Sequence, residues 1–289
     1  MPYTYSVLRY PGGKNQLSKY VEHLLEINDI SGTYVEPFAG GFGVALYLLF
    51  NGKVNNVMLN DYDPSIYSIW YSILNNKDRL IEKILNTDVN MSEWWHQKEI
   101  RAQNANNPES VLNAFSTLFL NRTNISGIIN GGPIGGKKQS GKYRIDCRFN
   151  KKVLIEKIEK IYDYRNKIFI SNKDASDFID ENLVNLDFNT SFIFFDPPYF
   201  KQGKNLYMSF VDEDKHAELS KKIINLEKFK WITTYDEVPA ILKLYQSSVP
   251  TYEYELNYTA NRKRKAKEYI FCSPSTKIDS YQNITLCKV

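Results

Sequence analysis

The chain of 289 residues has no long apolar run, only three cysteines and only three histidines. No stretch approaches the ~18 consecutive apolar residues of a membrane-spanning helix, and the opening MPYTYSVLRYPGGK has none of the apolar core of a signal peptide. Cys147, Cys272 and Cys287 are dispersed, which argues against a disulfide framework and against a zinc site, and no other cluster of metal ligands stands out. Proline and glycine are also sparse, 11 and 14 residues beside 43% hydrophobic ones, so neither a disordered nor a fibrous chain is indicated. The expectation is a soluble, intracellular protein in a reducing compartment.

An excess of charge of one sign is nearly missing as well, since 37 Lys and Arg against 33 Asp and Glu leave a net value of only +4. Two places concentrate positive charge. Lys137, Lys138, Lys142, Arg144, Arg148, Lys151 and Lys152 crowd one segment, and Arg262, Lys263, Arg264, Lys265 and Lys267 another. Two local basic patches on a nearly neutral chain suit a polyanion held at a defined place.

The remaining pattern is one of short apolar strands alternating with helices. TYVEPF runs into the glycine turn AGGFG and then into VALYLLF, apolar enough for a buried helix. NNVMLNDYD ends in acids, with Asp63 and Pro64 placed as N-cap and first residue of the next helix. KIFISN, SFIFFDPPY and KWITTYD repeat the theme, and PTYEYELNY and KEYIFCS read as further strands. Such alternation predicts an α/β fold with a mostly parallel sheet whose ligands bind at the carboxyl ends of the strands. Between residues 68 and 166 the rhythm breaks. Three helical stretches there lead into the glycine-rich, basic loop or hairpin NISGIINGGPIGGKKQSGKYRIDCRFN, and a loop of that length calls for a function. The pair Trp94 and Trp95 is expected in the core of this inserted region.

Two motifs carry chemistry. EPFAGGFG lets the backbone approach a ligand, and Asp61, at the end of the following strand, is placed to bind the two hydroxyls of a ribose. A nucleoside-containing cofactor is favoured; nicotinamide, flavin and S-adenosylmethionine all remain open at this point. Asp196-Pro197-Pro198-Tyr199 is narrower. An acid at a strand end, followed by prolines that fix φ, offers a carboxylate and a backbone carbonyl in rigid geometry. Together they can hold both hydrogens of one exocyclic amine, which favours a pyramidal nitrogen whose lone pair is free to attack a sulfonium methyl. Tyr199 supplies a face on which a flipped-out base can stack.

With RYPGGK, VEPFAGGFG, LNDYD, FLNRTNISGI, FFDPPY, ITTYD and NRKRKAKEYIF in this order, nearly the whole chain resembles the Dam-like (D12 class, alpha group) DNA adenine-N6 methyltransferases. The resemblance implies a Rossmann-like catalytic domain of residues 1–67 and 167–289 and a target-recognition domain of 68–166. It implies S-adenosyl-L-methionine as cofactor, held by Tyr10, Lys14, Glu36, Phe38, Ala39, Gly40, Asp61, Asp174 and Asp196. It further implies catalysis by Asp196, Pro197, Pro198 and Tyr199 on an adenine flipped from double-stranded DNA, without a metal. Base reading is expected from Arg122, Asn124, Lys138, Arg144 and Arg148, and phosphate contact from Arg262, Lys263 and Arg264. A companion restriction endonuclease, a monomer or weak dimer, and the cytoplasm of a bacterial or phage-infected cell complete the expectation. Two positions depart from the family pattern. Tyr10 stands where tryptophan is usual, and GGPIGGKKQSGKYR does not match the hairpin of GATC-specific members. Rival readings are cytosine-N4 methylation, a nicotinamide or flavin oxidoreductase, and a catalytically silent DNA-binding partner.

Overall fold

The computed structural model of the chain describes residues 4–9, 14–200, 213–258 and 264–289. Contacts divide the chain into two units, one of residues 1–13, 40–43 and 63–172, the other of 14–39, 44–62 and 173–289. Among the described residues no helix is long and apolar enough to cross a membrane.

The second unit is built on a sheet. Strands β1 (Thr33–Glu36), β2 (Asn56–Asn60), β4 (Phe192–Phe195), β5 (Lys230–Asp236), β6 (Thr251–Tyr258), β7 (Arg264–Cys272) and β8 (Cys287–Lys288) follow the order β2-β1-β4-β5-β7-β6-β8. The first four run parallel, as the alternating pattern predicts. The last three join antiparallel. All four residues of β4 are buried, which is why its sequence is apolar without alternation: a central parallel strand is covered on both faces. It stops where proline can no longer supply a ladder N–H. Helix α2 (Gly43–Phe50) is apolar nearly all round for the same reason, with Val44, Ala45, Leu46, Leu48 and Leu49 buried. One face of β5 and β7 sends Trp231, Tyr235, Tyr269 and Phe271 into a core shared with Ile193, Phe195 and Phe178 of helix α8 (Ala175–Asn182). Each such side chain contributes roughly 1.5–3 kcal/mol by burial. The opposite face buries Ile232, Ile270 and Cys272 and also carries Thr234, Asp236 and Glu268.

The first unit is mainly helical: α3 (Pro64–Asn75), α4 (Lys77–Asn86), α5 (Met91–Asn104), α6 (Val111–Thr123) and α7 (Lys151–Asp163), followed by the short strand β3 (Ile168–Ser171). Capping explains where four of these five helices begin. Asp63 accepts from Ser65 N at 2.8 Å ahead of Pro64, Asn90 from Glu93 N at 2.9 Å, Ser110 from Asn113 N at 3.3 Å and Asn150 from Val153 N at 3.1 Å. Each cap contributes about 1 kcal/mol. Helix α6 is the buried centre, lying against α3 and α5.

One expectation for this unit is corrected. Trp94 is buried and donates to Asn124 Oδ1 at 2.7 Å, but Trp95 is 46% exposed, because neighbours on a helix point about 100° apart. Lys151 and Lys152, directly after the basic loop, open α7, and Lys151 donates to the Leu85 carbonyl at 2.7 Å. The loop before them carries two short 3-10 turns, Ile125–Gly127 and Ile145–Arg148, and a single bridge between Asn124 and Pro133. At Gly127 φ is +80° and an added Cβ would meet the Arg9 carbonyl oxygen at 2.1 Å, so only glycine fits.

Candidate active site

The site grows from the carboxyl end of β4 in the second unit. Asp196 is the first residue beyond the strand, and the two prolines after it stiffen the chain. Thr234 of the adjacent strand β5 donates its hydroxyl to Asp196 Oδ1 at 2.9 Å, and the ammonium of Lys14 lies 3.5 Å from the same oxygen. Beyond Tyr199, the Phe200 N–H donates to Asp236 Oδ1 at 3.1 Å. The tetrapeptide is therefore tied to β5 on both sides, and its carboxylate has one neutral and one cationic partner.

A second carboxylate completes the cluster. Glu268 of β7 accepts from Lys14 Nζ at 2.9 Å and from the hydroxyls of Tyr199 and Tyr254. Lys14 also donates to the Tyr199 hydroxyl and stands 4.6 Å from the centroid of that ring. Side-chain exposure is 4% for Lys14, 1% for Glu268 and 23% for Asp196, so the cation and its stronger partner are internal while Asp196 reaches toward solvent.

Burial raises the pKa of Asp196 to about 6; Lys14 opposes the shift, Glu268 adds to it, and the Thr234 hydrogen bond opposes it. Glu36, the last residue of β1, rises to about 8, first by burial and then by the charge of Asp196, against a hydrogen bond from Tyr34 at 2.9 Å. At neutral pH one acid is thus mostly ionised and its neighbour mostly protonated, a division of states set by environment.

The loops at the ends of β1 and β2 supply the rest. Phe38, Ala39 and Gly40 follow Glu36, with Gly40 at φ +47° and Ala39 N–H donating to the Asn60 carbonyl at 2.9 Å. Buried Asn60 braces this edge: its amide donates to the carbonyls of Pro37 and Lys173 at 3.1 and 3.0 Å, and its oxygen accepts from Lys173 N. Asp61 comes directly after β2, and Asp174 caps α8 by accepting from Ser176 N at 2.8 Å. Glu36, Asp61 and Asp196 therefore stand at the carboxyl ends of three neighbouring parallel strands. Tyr10 lies outside the described residues.

His216 is buried, 3.1 Å from the Tyr235 hydroxyl and packed against Phe200, a packing role. His23 pairs with Asp279 at 2.6 Å.

In the first unit, Lys138, Arg144 and Arg148 are exposed. Arg9, Arg122, Arg148 and Lys157 lie close enough to oppose one another's charge. Burial, then Arg9 and Arg148, lower Arg122 to about 10; burial, then Arg122, lower Lys157 to about 8. Arg122 donates to the Arg148 carbonyl at 2.8 Å and Arg9 to the Asn124 carbonyl at 3.0 Å. Asn124 corrects the expectation of base reading. It is fully buried, its oxygen accepts from Trp94, and its amide donates to the carbonyls of Ile128 and Ile129 at 2.9 and 2.8 Å. Its amide is spent on the loop and its oxygen on Trp94 of α5. Arg262 and Lys263 lie outside the described residues, and Arg264 opens β7 with its side chain outside the description.

Sequence reasoning does not single out Thr234, Glu268, Asn60 or Arg9. A signal exists for one of them: Glu268 is an acid within the apolar strand EYIFC, where a buried charge demands a partner.

Residues 10–263 match the family described as D12 class N6 adenine-specific DNA methyltransferase. A curated relative, the Type II methyltransferase M.MjaIII of Methanocaldococcus jannaschii, is 27% identical over 243 residues, covering 77% of this chain and 78% of its own. Among solved structures, the rRNA methyltransferase AviRa of Streptomyces viridochromogenes aligns with TM-score 0.42 at 12% identity, over 92% of this chain and 87% of that one. A conserved hypothetical protein of Streptococcus pyogenes aligns with TM-score 0.35 at 12% identity, over 87% and 92%. The structural likenesses are too remote to bear on activity, whereas the family match spans most of the sequence and ends in the basic stretch before β7. The chain belongs to the D12 class of N6 adenine-specific DNA methyltransferases.

Proposed function

We propose that this adenine-N6 DNA methyltransferase is site-specific, takes its methyl group from S-adenosyl-L-methionine, and acts on an adenine flipped out of duplex DNA beside Asp196, Pro197, Pro198 and Tyr199. The observation that carries the reading is the Asp196 carboxylate, held at the end of β4 by Thr234 and Lys14. With a neighbouring backbone carbonyl of the rigid tetrapeptide it can accept both N–H bonds of the adenine amine, turning the nitrogen lone pair outward. Asp196 is mostly ionised at pH 7, as an acceptor must be. Tyr199, its hydroxyl already engaged, offers its ring to the base.

The acids at the ends of β1 and β2 fit the cofactor. Asp61 offers two acceptors to a ribose diol, Glu36 stands beside Asp196, and the positive φ of Gly40 lets the backbone approach without a Cβ. When bound, S-adenosylmethionine supplies an electrophilic sulfonium methyl. Tyr10, Phe38, Ala39 and Asp174 are the further residues assigned to it, and no metal is required.

The region 68–166 is assigned to target recognition. Lys138, Arg144 and Arg148 are its base-reading candidates, and Arg9 and Arg122, crowded by like charge, suit phosphates, which relieve that repulsion. Arg262, Lys263 and Arg264 are assigned to the backbone of the duplex. A companion restriction endonuclease and a monomeric or weakly dimeric state belong to the same proposal.

The test is single-molecule sequencing of plasmid DNA from a methylation-free host expressing this chain, beside an Asp196→Ala control. N6-methyladenine at one short motif with the wild type only supports the reading; modification that persists in the control removes Asp196 from it.

A further inference from the structure

The pleat of the antiparallel strands decides which side chains reach the site. Asp236 of β5 and Tyr254 of β6 both stand opposite Glu268 of β7 in register, and opposed residues share a face. That face carries Thr234, Asp236, Glu268 and Tyr254, whereas the alternate residues Tyr235, Tyr269 and Phe271 enter the apolar core. A carboxylate with 1% exposure in such a sheet is retained only if it is paired. Glu268 has Lys14 and Tyr254 on Oε2 and Tyr199 on Oε1.

Its two oxygens thereby join residues from the two motifs that flank the reacting centre. Lys14, at the end of PGGK, sits 2.9 Å from Glu268 and 3.5 Å from Asp196, so the ammonium is anchored by the first and presented to the second. A lysine ammonium is a point charge on a flexible four-carbon stem, and a second, buried carboxylate narrows the positions it can take beside Asp196.

We propose that Glu268 is a positioning residue for methyl transfer: its buried carboxylate holds the Lys14 ammonium beside Asp196 and the Tyr199 ring in place, without itself touching the adenine. The proposal rests on the role given to Asp196 above. Glu268→Gln keeps the shape of the side chain but turns a pure acceptor into a group that also donates, toward three donors.

The experiment compares the wild type, Glu268→Gln, Lys14→Met and the double variant on DNA carrying the methylated motif, with S-adenosylmethionine affinity measured by calorimetry. Glu268→Gln is expected to lower kcat at least tenfold while the KM for DNA and the Kd for S-adenosylmethionine stay within threefold. In the Lys14→Met background the same change should slow the enzyme by a smaller factor, since only the hold on Tyr199 is then left to lose. Wild-type kcat in Glu268→Gln, or equal losses in both backgrounds, overturns the proposal. Should Glu268→Gln fail to fold, 15N spectra of the wild-type protein decide: a solvent-protected lysine ammonium signal that disappears in Lys14→Arg is expected, and a Lys14 ammonium exchanging as fast as surface lysines overturns the anchor. The wild type separates the two claims. If it methylates no DNA, the reading of Asp196 falls; if it is active and Glu268→Gln equally so, only the role of Glu268 falls.

Discussion

The hydroxyl of Thr234 meets Oδ1 of Asp196 at 2.9 Å, from one parallel strand to the end of the next. Neither β4 nor β5 alone makes an acceptor of defined direction; the pair does. A hydrogen bond to a charged group contributes about 1.5–3 kcal/mol. Thr234→Val, close in shape, should therefore lower kcat about tenfold or more and move the acidic limb of the rate profile upward, because the bond stabilises the ionised form. Steady-state kinetics at several pH values check both.

The wild-type profile has a definite sign. Asp196 must be ionised to accept the amine hydrogens, and burial places its pKa at about 6. The rate should rise from pH 5 to pH 7 and flatten above. A rate independent of pH across that window would show that a different step or group controls turnover.

Glu36 links pH to stability. Its pKa lies near 4.5 unfolded and about 8 folded, so the buried acid favours the native state fully below pH 4.5, and that contribution is lost as pH rises through about 8. Glu36→Gln removes the dependence. Denaturant unfolding at pH 5 and pH 8.5 should show the variant gaining on the wild type as pH increases.

Asn124 and Lys138, both expected from sequence to face DNA, should separate cleanly. Asn124→Ala strips partners from the buried Trp94 N–H and from two part-buried carbonyls and should destabilise by about 1–3 kcal/mol, the cost of an orphaned buried group. Lys138→Ala, at an exposed position, should change unfolding by less than about 0.5 kcal/mol and, if it meets DNA, weaken binding. Thermal melts and DNA titrations at two salt concentrations distinguish them.

Much of this protein is determined by sequence alone because the rules concerned are local. Asp63 before Pro64 opens α3, the prolines after Phe195 end β4, and unbroken apolar runs become strands covered on both faces. The tetrapeptide Asp196 to Tyr199 is legible for the same reason: its rigidity resides in its own covalent chemistry. Tertiary structure decides what sequence spacing does not encode. Adjacent Trp94 and Trp95 look alike in the sequence, but helix geometry buries one and exposes the other. Asn124 is the type of residue that reads adenine, yet its loop folds back onto its amide and Trp94 takes its oxygen. Glu268 lies 254 residues from Lys14, and only the antiparallel register of β7 between β5 and β6 delivers its carboxylate to the cation. A buried charge needs a partner, and pairing across that distance is a property of the folded sheet.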